Sequence, residues 1–238
     1  MLKAFILAAG EGSRFAPYSR LVEKSMMPLG GKPVVRIIAE NMYYQFAFDK
    51  ASLFICVLKK HADAFRHEFR DMPVNIHPFD EPVGTLRSFS FAASQYSMDR
   101  DDDILLHYAD TYTRINYNTM YQQFRKSGKP AMIAITNNIH HDYSEVMCDT
   151  DTNEVVKIHE KPLLTWPTWT GIAIFNYGHF LDSAFRDSTF ADFGYDLLPK
   201  WASEHKLSAY IMAEPYYDVG NPRAYESIRD TFATASTR

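Results

Sequence analysis

Cysteine is nearly absent. Cys56 and Cys148 are the only two in 238 residues, and they form no CxxC pair. A disulfide framework and a four-cysteine metal site are therefore excluded, and both thiols are expected to be chemically indifferent. Long apolar runs are also missing, since no stretch approaches the roughly 20 apolar residues of a membrane span. The N-terminal apolar run is brief and breaks at a glycine loop, unlike a secretory signal, so the cytoplasm is the expected compartment and no membrane partner is expected. Nor is there an excess of positive charge: 25 Lys and Arg stand against 29 Asp and Glu, a net charge of −4, with a pI near 6.1. That balance excludes a broad nucleic-acid footprint but permits a local basic pocket. No repeat or low-complexity linker divides the chain.

What is present is enough apolar material, 46% of residues, to bury a substantial core as one large domain or a domain with an appended subdomain. Strand and helix patterns alternate, the mark of an α/β fold. Strands are expected at 2–8, 51–58, 74–78, 103–109, 130–136, 143–149, 155–159, 170–175 and 208–214. Helices are expected at 32–46 with Pro33 near the first turn, then at 60–71, 84–97, 116–127, 178–186 and 194–205. A final helix opens with Asn221 as cap and Pro222 at its first position. The strand-rich stretch 143–177 reads as an insertion inside an otherwise doubly wound sheet, which fits one domain, 1–238, of two halves, about 1–115 and about 116–238.

The first 33 residues are the most informative. Phe5 to Ala9 is an unbroken apolar run, the pattern of a strand buried on both faces of a parallel sheet. It runs into Gly10-Glu11-Gly12-Ser13-Arg14, where the glycines let backbone N–H groups approach a polyphosphate. Arg14 adds a fixed charge with fork geometry, and Lys24 supplies a second cation. Leu7, Ala8, Ala9, Gly10, Gly12, Ser13, Arg14, Pro17, Lys24, Pro28 and Lys32-Pro33 follow, in order and spacing, a known signature. It resembles that of the sugar-1-phosphate nucleotidyltransferases (NDP-sugar pyrophosphorylases). Glu23 and Ser25 depart from it, because the family carries prolines on either side of the lysine. Their loss is expected to loosen the loop without removing its charge.

Four further constellations continue the resemblance, which runs from Met1 to about Tyr225. Glu81-Pro82-Val83-Gly84-Thr85 resembles a segment whose glycine lets backbone approach the nucleotide base. Read alone, Gly84-Thr85 is a helix start with Thr85 as a candidate cap. Asp110 closes the apolar run Ile104–Ala109, the end of a strand at which open α/β sheets place ligands, and the resemblance makes it a metal ligand. Glu160-Lys161-Pro162 resembles a motif whose acid and lysine face the sugar phosphate. Tyr216-Tyr217-Asp218-Val219-Gly220-Asn221-Pro222 resembles a motif whose aspartate is the second metal ligand. Gly220 and Asn221 have a sufficient structural explanation in the capped helix that follows.

The resemblance implies a Rossmann-like (GT-A type) three-layer α/β/α sandwich with a mixed, mostly parallel central sheet. It implies Mg2+ as cofactor, held by Asp110 and Asp218, and an NTP (UTP, GTP, CTP or dTTP) and a sugar 1-phosphate as partners. Arg14 and Lys24 would act on the triphosphate, with Gly84 and Thr85 at the nucleotide. Glu160 and Lys161 would serve the sugar phosphate. The Trp169-Thr170-Gly171-Ile172 segment is similar to that of short members acting on N-acetylmuramate-, mannose- or heptose-type 1-phosphates, and Thr170 and Gly171 would then contact sugar. Ser144 places a side chain where backbone commonly meets sugar. Asp196 either binds a sugar hydroxyl or caps the helix 194–205. Trp166 and Trp169 either stack on a sugar face or pack. A homodimer is left open.

Other conspicuous residues have plainer readings. His140-His141-Asp142 lacks the spacing of a zinc site, Asp101 to Asp103 reads as a solvated turn, and Tyr43, Tyr44, Phe46 and Phe48 read as core or a subunit contact. A dinucleotide oxidoreductase would need a third glycine at Phe15 and an acid closing the second strand, where Leu58-Lys59-Lys60 stands instead. Two alternatives remain open: a nucleotidyltransferase for a non-sugar phosphate (phosphocholine- or phosphonate-type), and a catalytically weak regulatory relative. With no hexapeptide-repeat acyltransferase segment in the sequence, bifunctionality is not expected.

Overall fold

The chain alternates short buried strands with amphipathic helices, and its parallel strands all end on the same side. The computed structural model describes all residues except 13–14, 17–21, 138, 141–143, 165, 185–190, 221 and 236–238. In chain order the elements are β1 (Leu2–Ala8), β2 (Pro28–Leu29), β3 (Lys32–Pro33), α1 (Val34–Phe46), β4 (Leu53–Leu58), α2 (Ala62–Glu68), β5 (Asn75–Phe79) and α3 (Thr85–Ser94). They continue with β6 (Asp103–Tyr108), β7 (Thr111–Thr113), α4 (Tyr117–Ser127), β8 (Ala131–Thr136), β9 (Ile139–His140), β10 (Glu145–Cys148), β11 (Val155–His159) and β12 (Leu163–Leu164). Last come β13 (Thr168–Asn176), α5 (Tyr177–Ala184), a π-helical turn Phe193–Leu197, α6 (Leu198–Ser203), β14 (Leu207–Ile211), β15 (Tyr216–Asp218) and α7 (Pro222–Ala235).

Seven strands form the central sheet in the order β14-β8-β13-β6-β1-β4-β5. Every pair is parallel except those made by β13, which runs antiparallel to both β6 and β8. Strand β1 is central, and all but its first residue are buried. Side chains alternate along it: Ala4, Ile6 and Ala8 face the layer of α1, α2, α4 and α7. Phe5, Leu7 and Ala9 face α3, α5, α6 and the π turn. That is the expected three-layer sandwich with a mixed, mostly parallel sheet. On the second face Phe89 is fully buried and meets Phe5, Phe175 and Phe180 edge-on, with ring centroids 4.9, 5.3 and 4.9 Å apart. Edge-to-face geometry of this kind adds to the area buried by the rings.

The helix expected at 60–71 is a 3-10 turn followed by the shorter α2, and the helix expected at 194–205 is split into the π turn and α6. Of the acidic run, Asp101 alone keeps the exposed turn that its composition suggests. Asp102 and Asp103 are buried: Asp102 pairs with Lys3 at 2.9 Å, and Asp103 takes Arg125 at 2.8 Å and the Tyr121 hydroxyl at 2.9 Å. Partners far along the chain supply the compensation that burial of a carboxylate requires. Cys56 is buried and Cys148 exposed. Phe48 joins the core while Tyr44 stands largely exposed. Among the described residues no helix is long and apolar enough to cross a membrane.

His107, inside β6, is fully buried. Its Nδ1 lies 2.8 Å from the Tyr108 carbonyl, so that nitrogen donates. Nε2 then carries no proton, and it is buried without a partner. Burial pushes the ring down to about 4. Because the folded value lies below the ordinary one, the unfolded chain takes up a proton first as pH falls. Stability should decline between about pH 6.5 and 4, by about 3 kcal/mol if His107 acts alone. Urea midpoints measured across that window should fall more steeply for the native chain than for His107→Asn, and equal slopes would dissociate His107 from the acid limb.

Candidate functional site

The site forms where β1 and β6 end. Leu7 and Ala8 end β1 and are buried together with Ala9, and Gly10 emerges into solvent. Gly12 has φ 66, and its carbonyl accepts the Phe15 N–H at 2.9 Å. Phe15 is fully buried and packs edge-on against Tyr225 at 5.9 Å, while the Tyr225 hydroxyl donates to the Pro28 carbonyl at 2.7 Å. Helix α7 therefore anchors both ends of the loop that follows β1. Ser13, Arg14 and Pro17 lie outside the described residues.

The segment after it is not loose, contrary to the expectation from its missing prolines. Lys24–Met26 is a 3-10 turn, with Glu23 as its N-cap at φ −62. The Glu23 Oε2 accepts the Ser25 N–H at 2.7 Å and the Ser25 hydroxyl as well. A side-chain clamp restrains the backbone that prolines would otherwise restrain. Glu23 is 5% exposed and Ser25 is fully buried. Burial pushes the Glu23 carboxyl up to about 7, against the opposing pull of the Ser25 hydrogen bonds and the Lys24 charge.

Lys24 itself leaves the turn and reaches the end of β6. Its Nζ stands 2.5 Å from Asp110 Oδ2, and it lies close to Gly10, 3.9 Å from where a Cβ there would sit. Asp218 joins them through a pairing of two three-residue strands. β15 runs antiparallel to β7 with Asp218 opposite Thr111, and the Val219 N–H donates to the Asp110 carbonyl at 2.8 Å. Gly220 closes the arrangement. Its N–H donates to Asp218 Oδ1 at 2.7 Å. A Cβ on Gly220 would lie 2.8 Å from that oxygen and 3.2 Å from Asp110 Oδ2. The two carboxylates thus converge on a point where only glycine fits without displacing one of them. Two carboxylates suit a hard divalent cation that takes the rest of its oxygens from phosphate and water. Among the described residues no group of three His, Cys, Asp or Glu side chains gathers for a metal.

Several expected nucleotide and sugar contacts are tied into the protein. Gly84, not Thr85, is the N-cap of α3. Its φ is 86, and a Cβ there would lie 2.5 Å from the Ala191 carbonyl oxygen. The Thr85 hydroxyl donates to Asp192 Oδ2 at 2.7 Å and accepts from the Tyr108 hydroxyl (3.0 Å) and the Phe193 N–H (3.1 Å). Asp192 caps the π turn through the N–H groups of Gly194 and Tyr195, and Asp196 Oδ2 accepts those of Ala191 and Asp192 at 2.7 and 2.8 Å. Asp196, inside the turn, thus ties down the two residues before it, and the cap of the turn is Asp192. Thr170, expected at the sugar, is fully buried, and its hydroxyl donates to the Ala134 carbonyl at 2.9 Å. That side chain is committed to the core, which corrects its assignment as a sugar contact. Gly171 is buried in the same stretch. Trp169 packs on Tyr108 at 5.2 Å, and Trp166 is exposed.

The other sugar-side residues sit on an arm. β10 and β11 form a separate antiparallel pair in which every residue from Ser144 to Lys161 is exposed. The Ser144 hydroxyl donates to the Glu160 carboxylate across the base of the arm, and Lys161 has a left-handed backbone with φ 45. Of the histidine run, His141 and Asp142 lie outside the described residues. Sequence reading overlooked Tyr108 and Asp192, the links between α3 and the π turn. An Asp just before Phe193-Gly194 was the signal for the latter, since Asp is a preferred cap.

A family model described as "Nucleotidyl transferase" matches residues 3–234. The chain is 25% identical over 247 residues to a UTP–glucose-1-phosphate uridylyltransferase of Synechocystis, covering 96% of this chain and 63% of that protein. It is 22% identical over 243 residues to a glucose-1-phosphate adenylyltransferase of Mycoplasma mobile, covering 91% and 63%. The chain therefore spans less than two thirds of the length of these curated relatives. Among solved structures, HddC from Yersinia pseudotuberculosis complexed with GMP-PN superposes with a TM-score of 0.69 at 21% identity, covering 98% of this chain and all of that one.

The convergence on Gly220 yields a direct test. Gly220→Ala should force Asp218 or Asp110 aside and weaken Mg2+ or Mn2+ binding by roughly 10–100-fold, measured by calorimetric titration. An unchanged affinity would show that the two carboxylates do not act as one cation site.

Proposed function

The chain belongs to the nucleotidyl transferase family, and from that premise we propose that it transfers a nucleotidyl group from an NTP to a sugar 1-phosphate. The products are an NDP-sugar and pyrophosphate. The observation that carries this reading is the meeting of Lys24, Asp110 and Asp218 at the end of the sheet, beside the glycine loop. These residues arrive from three remote parts of the chain, and a fold alone would not require them to meet.

The nucleophile is a phosphate oxygen of the sugar 1-phosphate. It is already an anion, so no general base is needed. It attacks the α-phosphorus in line, and pyrophosphate leaves from the opposite side. What limits such a step is repulsion between two charged phosphates and their alignment. Lys24, and Arg14 by the same reasoning, would hold the triphosphate and offset charge on the departing pyrophosphate. Asp110 and Asp218 would hold Mg2+, which when bound lowers the negative charge that the incoming phosphate meets. Lys161 would neutralise the incoming phosphate, with Glu160 and Ser144 facing sugar hydroxyls from the base of the arm. We assign residues 1–115 to the nucleotide and 116–238 to the sugar phosphate, two halves that share one sheet through the β6–β13 pairing.

Pyrophosphate release with Mg2+ tests this reading across UTP, GTP, CTP, dTTP and ATP against glucose, mannose, N-acetylglucosamine, N-acetylmuramate and heptose 1-phosphates, with phosphocholine included. One pair should release pyrophosphate. Lys24→Ala should then lower the rate by roughly 10²–10³-fold if the lysine is a fixed charge at the phosphates, and Asp110→Ala should nearly abolish it. Turnover that survives Asp110→Ala would sink the metal assignment. Release with phosphocholine alone would favour a non-sugar acceptor, and NTP binding without release would favour a regulatory relative.

A homodimer is proposed with the arm as the surface it covers. Val146 and Ile158, opposite each other on β10 and β11, are 50% and 61% exposed, and an exposed two-stranded hairpin gains stability only when an apolar face is covered. Sedimentation equilibrium should give twice the 27.4 kDa chain mass, reverting to one on Ile158→Lys. A monomeric native chain would remove the proposal.

A further inference from the structure

We propose that Glu23 is a positioning residue for Lys24: its buried carboxyl, closed on Ser25, sets where the Lys24 ammonium stands beside Asp110. This deepens the reading of the same site as a nucleotidyl-transfer centre and rests on it for its kinetic consequences.

Three observations support the clamp. First, the hydrogen bonds bracket Lys24 on both sides. Glu23 Oε2 takes both donors of Ser25, the Glu23 carbonyl accepts Met26 N–H at 2.9 Å, and the Lys24 carbonyl accepts Met27 N–H at 3.2 Å. Of residues 23 to 25, Lys24 is the one that is not buried. Its side chain leaves the turn, keeps 14% of its surface exposed, and ends on Asp110. A shift of the turn therefore moves the ammonium, and a displacement of an ångström is enough to cost a charge-stabilised step most of its rate.

Second, the clamp is an expensive way to cap one short turn. Ser, Thr, Asp or Asn at the position would satisfy the same N–H with less buried polar surface. Here a whole carboxyl is taken out of water, and its second oxygen, Oε1, is buried with no hydrogen-bond partner. Unsatisfied buried polar atoms are rare in folded proteins and call for a reason beyond capping. Third, Glu23 lies within electrostatic reach of both Lys24 and Asp110. Clamp, cation and carboxylate thus form one contiguous group, while Glu23 itself faces the interior and not the cleft.

The test uses the full chain and two readouts. Lys24 is labelled with a water-soluble acetylating reagent and quantified by mass spectrometry against the exposed Lys59 in the same molecule. Glu23→Ala should raise the Lys24 labelling rate several-fold. Glu23→Gln, whose amide oxygen can still accept from Ser25, should recover most of the native protection. Should Glu23→Ala fail to fold, Ser25→Ala removes one of the two donors and should raise labelling by a smaller amount. Unchanged labelling in the folded variants overturns the proposal.

The second readout is a double-mutant cycle on pyrophosphate release. Glu23→Ala should lower kcat by roughly 10–100-fold, with the KM for sugar 1-phosphate within about twofold of native. In a Lys24→Ala background the same change should cost nothing more, since a residue that acts through another has no effect once the other is gone. Losses that multiply would show a general structural role and overturn the proposal. Should the native chain release no pyrophosphate with any pair, the transfer reading fails, and the labelling experiment still decides whether Glu23 positions Lys24.

Discussion

The candidate centre depends on one short antiparallel pairing, Thr111–Thr113 against Tyr216–Asp218. Asp110 lies in the turn that follows β6, the strand beside central β1. Asp218 belongs to the last part of the chain and has no local reason to be near it. Three residue pairs, together with the Val219 to Asp110 backbone bond, bring the second carboxylate in, and Gly220 leaves the space in which both can point. Two like charges held this close repel each other unless a cation lies between or beside them. The Lys24 ammonium on Asp110 Oδ2 supplies that compensation from within the chain.

Around this centre the fold divides its work between the two faces of the sheet. The layer of α1, α4 and α7 carries the loop after β1, because Phe15 and Pro28 are both held by Tyr225. The opposite layer carries α3 and the π turn, joined by Thr85, Tyr108 and Asp192. The loop after β1 and the start of α3 are thus each braced by a different helical layer, with β1 and β6 as the shared floor. The exposed arm of β10 and β11 is a separate strand pair, with Ser144 and Glu160 hydrogen-bonded across its base.

Much of this was legible in the residues. The apolar run into Gly10 and Gly12, the strand and helix alternation, and the five ordered motifs identify the family and the mixed sheet, because these are local patterns. A buried strand must be apolar, a tight turn must be small, and a helix must repeat its apolar positions near 3.6. The errors fall where long-range partners override composition. Asp102 and Asp103 read as a solvated turn until Lys3 and Arg125 are seen to pair with them. Thr170 reads as a sugar contact until the neighbouring strand supplies the Ala134 carbonyl. Glu23 and Ser25 read as a loosened loop, since a side-chain clamp leaves no trace in a pattern of proline and glycine.

The sequence by itself determined the class of fold, the glycine loop, the identity of the charged residues and the family to which they belong, all of which depend on neighbours a few positions apart. Tertiary structure alone decided that the Lys24 ammonium reaches Asp110, that Gly220 leaves the space into which Asp110 and Asp218 point, and that Glu23 holds the turn from which the lysine projects. The physical reason is the length of the pieces. Strands of three residues and a single turn of 3-10 helix are too short to impose a period on the sequence, so their pairings become visible only when the chain has closed on itself.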